Sequence, residues 1–100
     1  MHARMTTIEM DPARIDEAVA QVEEEDLPTW RDIDGFKGFT LLVDRSSGKV
    51  VGTSYWATLE QMQASEDAVK DSRQRAADTG GAANPPQVER FEVALDTFVK

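Results

Sequence analysis

Phe36-Lys37-Gly38-Phe39-Thr40-Leu41-Leu42-Val43-Asp44 and Lys49-Val50-Val51-Gly52-Thr53-Ser54-Tyr55-Trp56-Ala57, joined through Arg45-Ser46-Ser47-Gly48, form the stretch that decides the fold. Both runs are rich in aromatic and β-branched residues, and the turn between them is short and polar, so the pair reads as a β-hairpin. Phe39, Leu41 and Val43 lie on one face of the first strand, yet Leu42 occupies the other. In the second strand Val50 and Trp56 stand opposite Val51 and Tyr55. Strands that are apolar on both faces are covered on both sides.

Upstream of the hairpin, residues Ala3 to Glu9 alternate as a strand. Ala3, Met5 and Thr7 point one way, while Arg4, Thr6, Ile8 and Met10 point the other. Asp11-Pro12 stops that strand and opens a helix, Asp11 as the cap and Pro12 at the first helical position. Ile15, Ala18, Val19 and Val22 follow the spacing of a core-facing stripe. Pro28 disfavours helix at Leu27 and predicts a break or kink there, with Trp30 and Ile33 suggesting one more turn that closes at Gly35.

Downstream, Thr58-Leu59-Glu60-Gln61 reads as a capping box in which both side chains satisfy free backbone donors. Leu59, Met62, Val69 and Ala76 supply an apolar stripe, with small Ser65 and Ser72 interleaved. Gly80-Gly81 ends the helix, Ala82 to Pro86 is a loop, and a last strand alternates from Val88 onward, extending as far as Phe98.

The order is therefore β-α-β-β-α-β, which predicts an α+β, ferredoxin-like domain over residues 1–100. One four-stranded antiparallel sheet carries both helices on the same face. Two helices cover only one face of a sheet whose hairpin is apolar on both. A homodimer with two sheets packed face to face, a dimeric α+β barrel, is the expected remedy.

Composition narrows the function classes. The chain has 100 residues, 40% apolar and 30% charged, with no cysteine, one histidine and a formal charge of -8. Without cysteine there are no disulfides, thiolate metal sites or cysteine nucleophiles. Net negative charge works against nucleic-acid binding, which depends on neutralising phosphates. The RNA-recognition variant of this layout also needs aromatics on the first strand, which has none. No apolar run approaches a membrane span, and Met1 to Met10 lacks the apolar block of a signal peptide. A cytoplasmic location is expected. A regulatory module beside a catalytic domain, and a purely structural subunit, are the other classes this layout serves.

The acidic run Glu23-Glu24-Glu25-Asp26 points in four directions on a helix, so a solvated helix end is expected instead of a metal site. Asp32 and Asp34 read as turn residues. His2, the only imidazole, sits at the terminus, which leaves catalytic triads and histidine metal sites without their central part. Gly35-Phe36-Lys37-Gly38 does not run from strand to helix as a phosphate-binding loop does. No cofactor and no metal are expected, and no catalytic residue can be named.

Tyr55-Trp56 is the most informative local pair. Neighbours on a strand face opposite sides, so one ring packs toward the helices and the other toward the second sheet. Trp56 is placed as a wall of an apolar pocket, Tyr55 as a hydroxyl donor, and Phe39 on the adjoining strand as an extension of either surface. Arg73 and Arg75 read as exposed helix charges that could meet an anionic substituent; Arg73 joins Trp56, Tyr55 and Phe39 as a ligand-binding candidate.

The hairpin from Gly35 to Ala57, followed by Thr58-Leu59-Glu60-Gln61-Met62, resembles the antibiotic biosynthesis monooxygenase-like domains of the dimeric α+β barrel superfamily. The resemblance covers nearly the whole layout. It implies a homodimer and either a cofactor-free monooxygenase acting on an aromatic polyketide-like ring or a protein that binds a small lipophilic or aromatic molecule. Haem-degrading relatives carry a histidine iron ligand on the second helix. Residues Met62 to Ala77 contain none, and the first strand has no asparagine, so haem degradation does not fit.

Overall fold

Alternation along each strand builds a sheet with two different faces. The structure, a computed structural model, describes residues 1–98. Strands β1 (His2–Glu9), β2 (Phe36–Asp44), β3 (Lys49–Trp56) and β4 (Gln87–Glu92) form one sheet in the order β2-β3-β1-β4, all neighbours antiparallel. This is the ferredoxin-like strand order. The pairing fixes which residues share a row: Phe39, Ser54, Arg4 and Arg90 align on the inner face, and Gly38, Tyr55, Ala3 and Phe91 on the outer.

The hairpin turn is held by its own side chains. Asp44 Oδ1 accepts from the Ser46 amide at 3.0 Å and the Ser46 hydroxyl at 2.7 Å, and the Gly48 amide donates to the Asp44 carbonyl at 2.8 Å. Gly48 sits at φ +85°, where a side chain would be strained and would also run into the Met10 carbonyl.

The first helical segment starts as sequence predicts. Asp11 accepts from the Ala13 amide at 2.9 Å, capping a 3-10 turn (Pro12–Arg14) that leads into α1 (Ile15–Gln21). The irregularity expected at Pro28 is not a gap in the helix: the chain widens into a π turn (Val22–Asp26) and continues as α2 (Leu27–Trp30). Pro28 has no amide hydrogen to return to the preceding turn. The wider turn, in which the Leu27 amide reaches the Val22 carbonyl, lets the helical path pass the proline without a gap.

Asp26 is likewise not part of a solvated end. It is 2% exposed and paired with Arg75 from the other helical segment at 2.5 Å. Glu23, Glu24 and Glu25 are exposed, as read from sequence.

The second helical segment is two helices, α3 (Leu59–Ala64) and α4 (Glu66–Thr79), separated at Ser65. The Met62 carbonyl accepts from Arg4 Nη2 and from the Ser65 hydroxyl, each at 2.6 Å, which draws it out of the regular ladder. The capping box is half made. Thr58 accepts from the Gln61 amide at 3.1 Å, but Gln61 Oε1 is buried without a partner among the described residues. Leu59 is 37% exposed and leaves the stripe to Met62, Val69 and Ala76. The last strand ends at Glu92, and residues 93–98 run on without regular structure.

The core lies between the inner sheet face and the helices. Ile8 and Val50 from the sheet, with Met10 just past the end of β1, meet Ile15, Ala18, Val22, Val69 and Ala76 from above. The outer face has no such helical cover: Leu42 is 63% exposed, and Phe91 is also exposed.

Candidate functional site

The inner face is not filled evenly. At the centre of β3, Gly52 brings no side chain, and the Phe39 ring lies close over it. A cavity opens there between sheet and helices. Its volume is about 70 Å³. That is smaller than the roughly 150 Å³ that accepts a benzene ring in an apolar core. A ring-sized ligand would therefore displace wall side chains to enter.

One flank of the cavity is apolar: Ile8, Val22, Trp30, Phe39, Val50 and Val69. Trp30 and Phe39 meet edge to face with centroids 5.1 Å apart. Trp56 is fully buried at the other flank, its indole N–H donating to the Ser54 hydroxyl at 2.9 Å and its ring meeting Phe36 edge-on at 5.4 Å. A tryptophan held this way is a rigid wall.

Beside Trp56 the lining turns polar and cationic. Arg4, Thr6, Ser54, Ser72 and Arg73 all border the cavity. Arg4 is 3% exposed, an unusual place for a guanidinium. Its Nη2 donates to the Met62 carbonyl at 2.6 Å and the Ser65 hydroxyl at 3.1 Å, and its Nε lies 3.3 Å from Glu66. Its Cζ stands 5.9 Å from the centre of the Trp56 ring.

Glu66 also pairs with Arg73 at 2.7 Å and lies 3.5 Å from Arg90. Burial acts to raise the Glu66 carboxyl, but the Arg73 hydrogen bond and the charges of Arg73, Arg4 and Arg90 outweigh it, and the group sits below its ordinary value. Burial pulls Arg4 below the usual guanidinium range, with Arg73 and Arg90 pushing the same way and Glu66 opposing. Arginine remains charged through any such shift.

Of the four candidates from sequence, the structure brings Trp56, Phe39 and Arg73 to one cavity. Tyr55 is not there. It faces the outer side of the sheet, where it meets Phe98 edge-on at 5.1 Å. Arg73 is no surface charge, at 16% side-chain exposure, whereas Arg75 is half exposed and serves Asp26. Sequence reading missed Arg4, Ser54, Ser72 and Glu66. The signal for Arg4 was present: a charged residue at an inward strand position alongside Thr6, Ile8 and Met10. Among the described residues no group of three or more histidine, cysteine or acidic side chains is placed to hold a metal ion, and no helix is long and apolar enough to cross a membrane.

No family model matches the chain. It is 43% identical over 95 residues to the uncharacterized protein Rv2558 of Mycobacterium tuberculosis, covering 95% of this chain and 39% of that protein. It is 40% identical over 94 residues to the uncharacterized protein Rv2557 of the same organism, covering 94% and 41%. The chain thus spans about two fifths of the length of the curated relatives it matches. Among solved structures it is similar to the monooxygenase from the gene ActVA-Orf6 of Streptomyces coelicolor in complex with nanaomycin D. That match has a TM-score of 0.80 at 16% identity and covers 99% of this chain and 92% of the other. It is also similar to SnoaB, a cofactor-independent oxygenase from Streptomyces nogalater, with a TM-score of 0.66 at 14% identity over 95% and 94%. At these identities the likeness is one of fold: the chain has the ferredoxin-like α+β fold of the antibiotic biosynthesis monooxygenase-like proteins.

Proposed function

We propose that residues 1–100 form one cytoplasmic domain that self-associates through its outer sheet face and holds a small lipophilic or aromatic molecule in the cavity beneath its helices. The observation that carries this reading is the unfilled space against the inner sheet face, walled by Phe39 and a hydrogen-bonded Trp56. Close packing is the rule in protein interiors, so an apolar opening of this kind is the default binding site. Titration with two-ring and three-ring aromatic compounds, followed by Trp fluorescence and calorimetry, tests it. Saturable binding at one site per chain is expected, with loss in Thr6→Phe, which fills the cavity from β1. No saturable binding across neutral and charged compounds would overturn the reading.

A second reading is a cofactor-independent monooxygenase. It is favoured by the fold shared with ActVA-Orf6 and SnoaB and by the cationic groups beside Trp56. In such a reaction a dihydroxyaromatic substrate loses a proton and its carbanion adds O2 to form a hydroperoxide. Loss of the second hydrogen from that carbon with the outer oxygen, as water, leaves a carbonyl, so the substrate supplies all four electrons. Arg4, Arg73 and the Ser54 hydroxyl are donors suited to hold the substrate anion. Among the described residues the lining has no carboxylate or imidazole to take the proton, so the substrate would enter already ionised. Oxygen uptake with anthracene- and naphthalene-type diols decides between the readings: turnover lost in Trp56→Phe supports the enzyme, and no uptake across the panel leaves binding alone.

A further inference from the structure

We propose that the Arg4 end of the cavity receives an ionised carboxylate carried on an apolar ring, with Arg4 and Arg73 as its cationic partners. The proposal rests on the ligand-binding reading above and names the chemical class of the ligand.

The first argument is an unfilled hydrogen-bonding position. Among the described residues Arg4 Nη1 has no hydrogen-bond partner, although it is shielded from water. A buried charged donor with nothing to donate to is costly and rare in native structures. The Trp56 ring nearby attracts the cation through its face but offers no lone pair in the plane of the guanidinium. Arg4 Nη2 is committed to Met62 and Ser65, and Nε lies 3.3 Å from Glu66 but makes no hydrogen bond among the described residues.

The second argument is charge. Glu66 alone stands among the guanidiniums of Arg4, Arg73 and Arg90, three positive charges against one negative. This excess of two positive charges is buried or half-buried within a chain whose formal charge is -8. The balance is opposite to that of the rest of the molecule, and it borders the cavity.

The third argument is the polarity of the remaining groups. Ser54 accepts from Trp56 and Ser72 accepts from Arg75, at 2.9 and 3.3 Å, so each hydroxyl keeps its own proton to donate. With Arg4 Nη1 and Arg73 they make an end composed of donors. A carboxylate accepts at both oxygens and donates nothing, which matches such an end; an alcohol or amide also accepts but brings a donor of its own and no negative charge. Phe39 and the apolar flank receive the ring.

Calorimetric titration with 2-naphthoate and its neutral counterpart 2-naphthalenemethanol tests the proposal. In the native chain naphthoate binds about tenfold or more tightly than the alcohol, as a charge-assisted contact implies. Glu66→Gln removes the competing carboxylate and strengthens naphthoate binding while leaving the alcohol unchanged, a gain that a damaged fold would not give. Arg4→Gln closes the gap between the two probes. Equal affinity for both probes would overturn the carboxylate assignment and leave the binding reading standing, whereas failure of both probes to bind would remove that reading and this one together.

Discussion

Trp56 donates its indole N–H to Ser54, two residues earlier on the same strand, at 2.9 Å. Residues two apart share a strand face, so the pair is local in sequence and sets the ring's plane without help from a distant element. Trp56 is fully buried and Ser54 nearly so, and both are largely shielded from bulk solvent.

Ser54→Ala is therefore expected to cost about 1–3 kcal/mol, the penalty for a buried donor left without an acceptor. Trp56→Phe loses the same bond and some packing volume. The double variant should cost less than the sum of the two single ones, because the second change removes a donor already orphaned by the first. Urea denaturation of the four proteins gives the comparison. Strict additivity would show that the bond contributes nothing.

Asp26 and Arg75 make an asymmetric pair, the carboxylate 2% and the guanidinium 52% exposed. Removing Arg75 strands a buried carboxylate, whereas removing Asp26 frees an arginine that already reaches water. Arg75→Ala should thus destabilise by about 3–5 kcal/mol and Asp26→Asn by distinctly less. Equal losses in thermal or chemical melts would contradict the burial that the argument uses. Because the bond joins the π turn to α4, the larger loss should also loosen the helical cover of the cavity, visible as faster amide exchange at Val22 and Leu27.

The elements legible in the sequence were those specified by near neighbours. The hairpin from Phe36 to Trp56 followed from a two-residue alternation and a polar turn, and the opposed directions of Tyr55 and Trp56 followed from the same period. Which of the two rings would meet the cavity did not follow, because that depends on which face the helices take. Arg4 was visible as an inward charge, but its neighbours Ser54, Ser65 and Glu66 are set by strand register and by a helix some sixty residues away. The π turn had the same character. Pro28 announced an irregularity, and only the contact with Arg75, 49 residues on, explains why Asp26 is buried there.

The outer sheet face supplies a prediction about assembly. Leu42, Val51, Tyr55 and Phe91 lie on that face, with Leu42 and Phe91 largely open to solvent. Burying apolar area contributes roughly 25 cal/mol for each square ångström, so a second copy is the economical cover. Sedimentation should give twice the chain mass of 11.1 kDa. Val51→Glu, at the centre of the face and away from the cavity, should shift the protein to monomer while keeping its secondary structure. A native chain that stays monomeric at micromolar concentration would dismiss the dimer.

Glu66 carries the last prediction, which concerns acid stability. Burial would raise its carboxyl above the ordinary value of 4.5, but the Arg73 hydrogen bond and the three surrounding guanidiniums hold it below. A carboxylate depressed in the folded state leaves the unfolded chain binding more protons in the acid range, so its stabilising contribution is complete above about 4.5 and fades as pH drops through the folded value. The native chain should lose stability on acidification partly for this reason. Glu66→Gln should begin less stable at neutral pH, since three guanidiniums lose their shared counter-ion, and should then fall less steeply than the native chain below about pH 4.5. The difference between the two stability curves isolates Glu66 from every other acidic group. Curves that remain parallel into the acid range would mean that the guanidinium cluster does not hold the carboxylate as the geometry indicates.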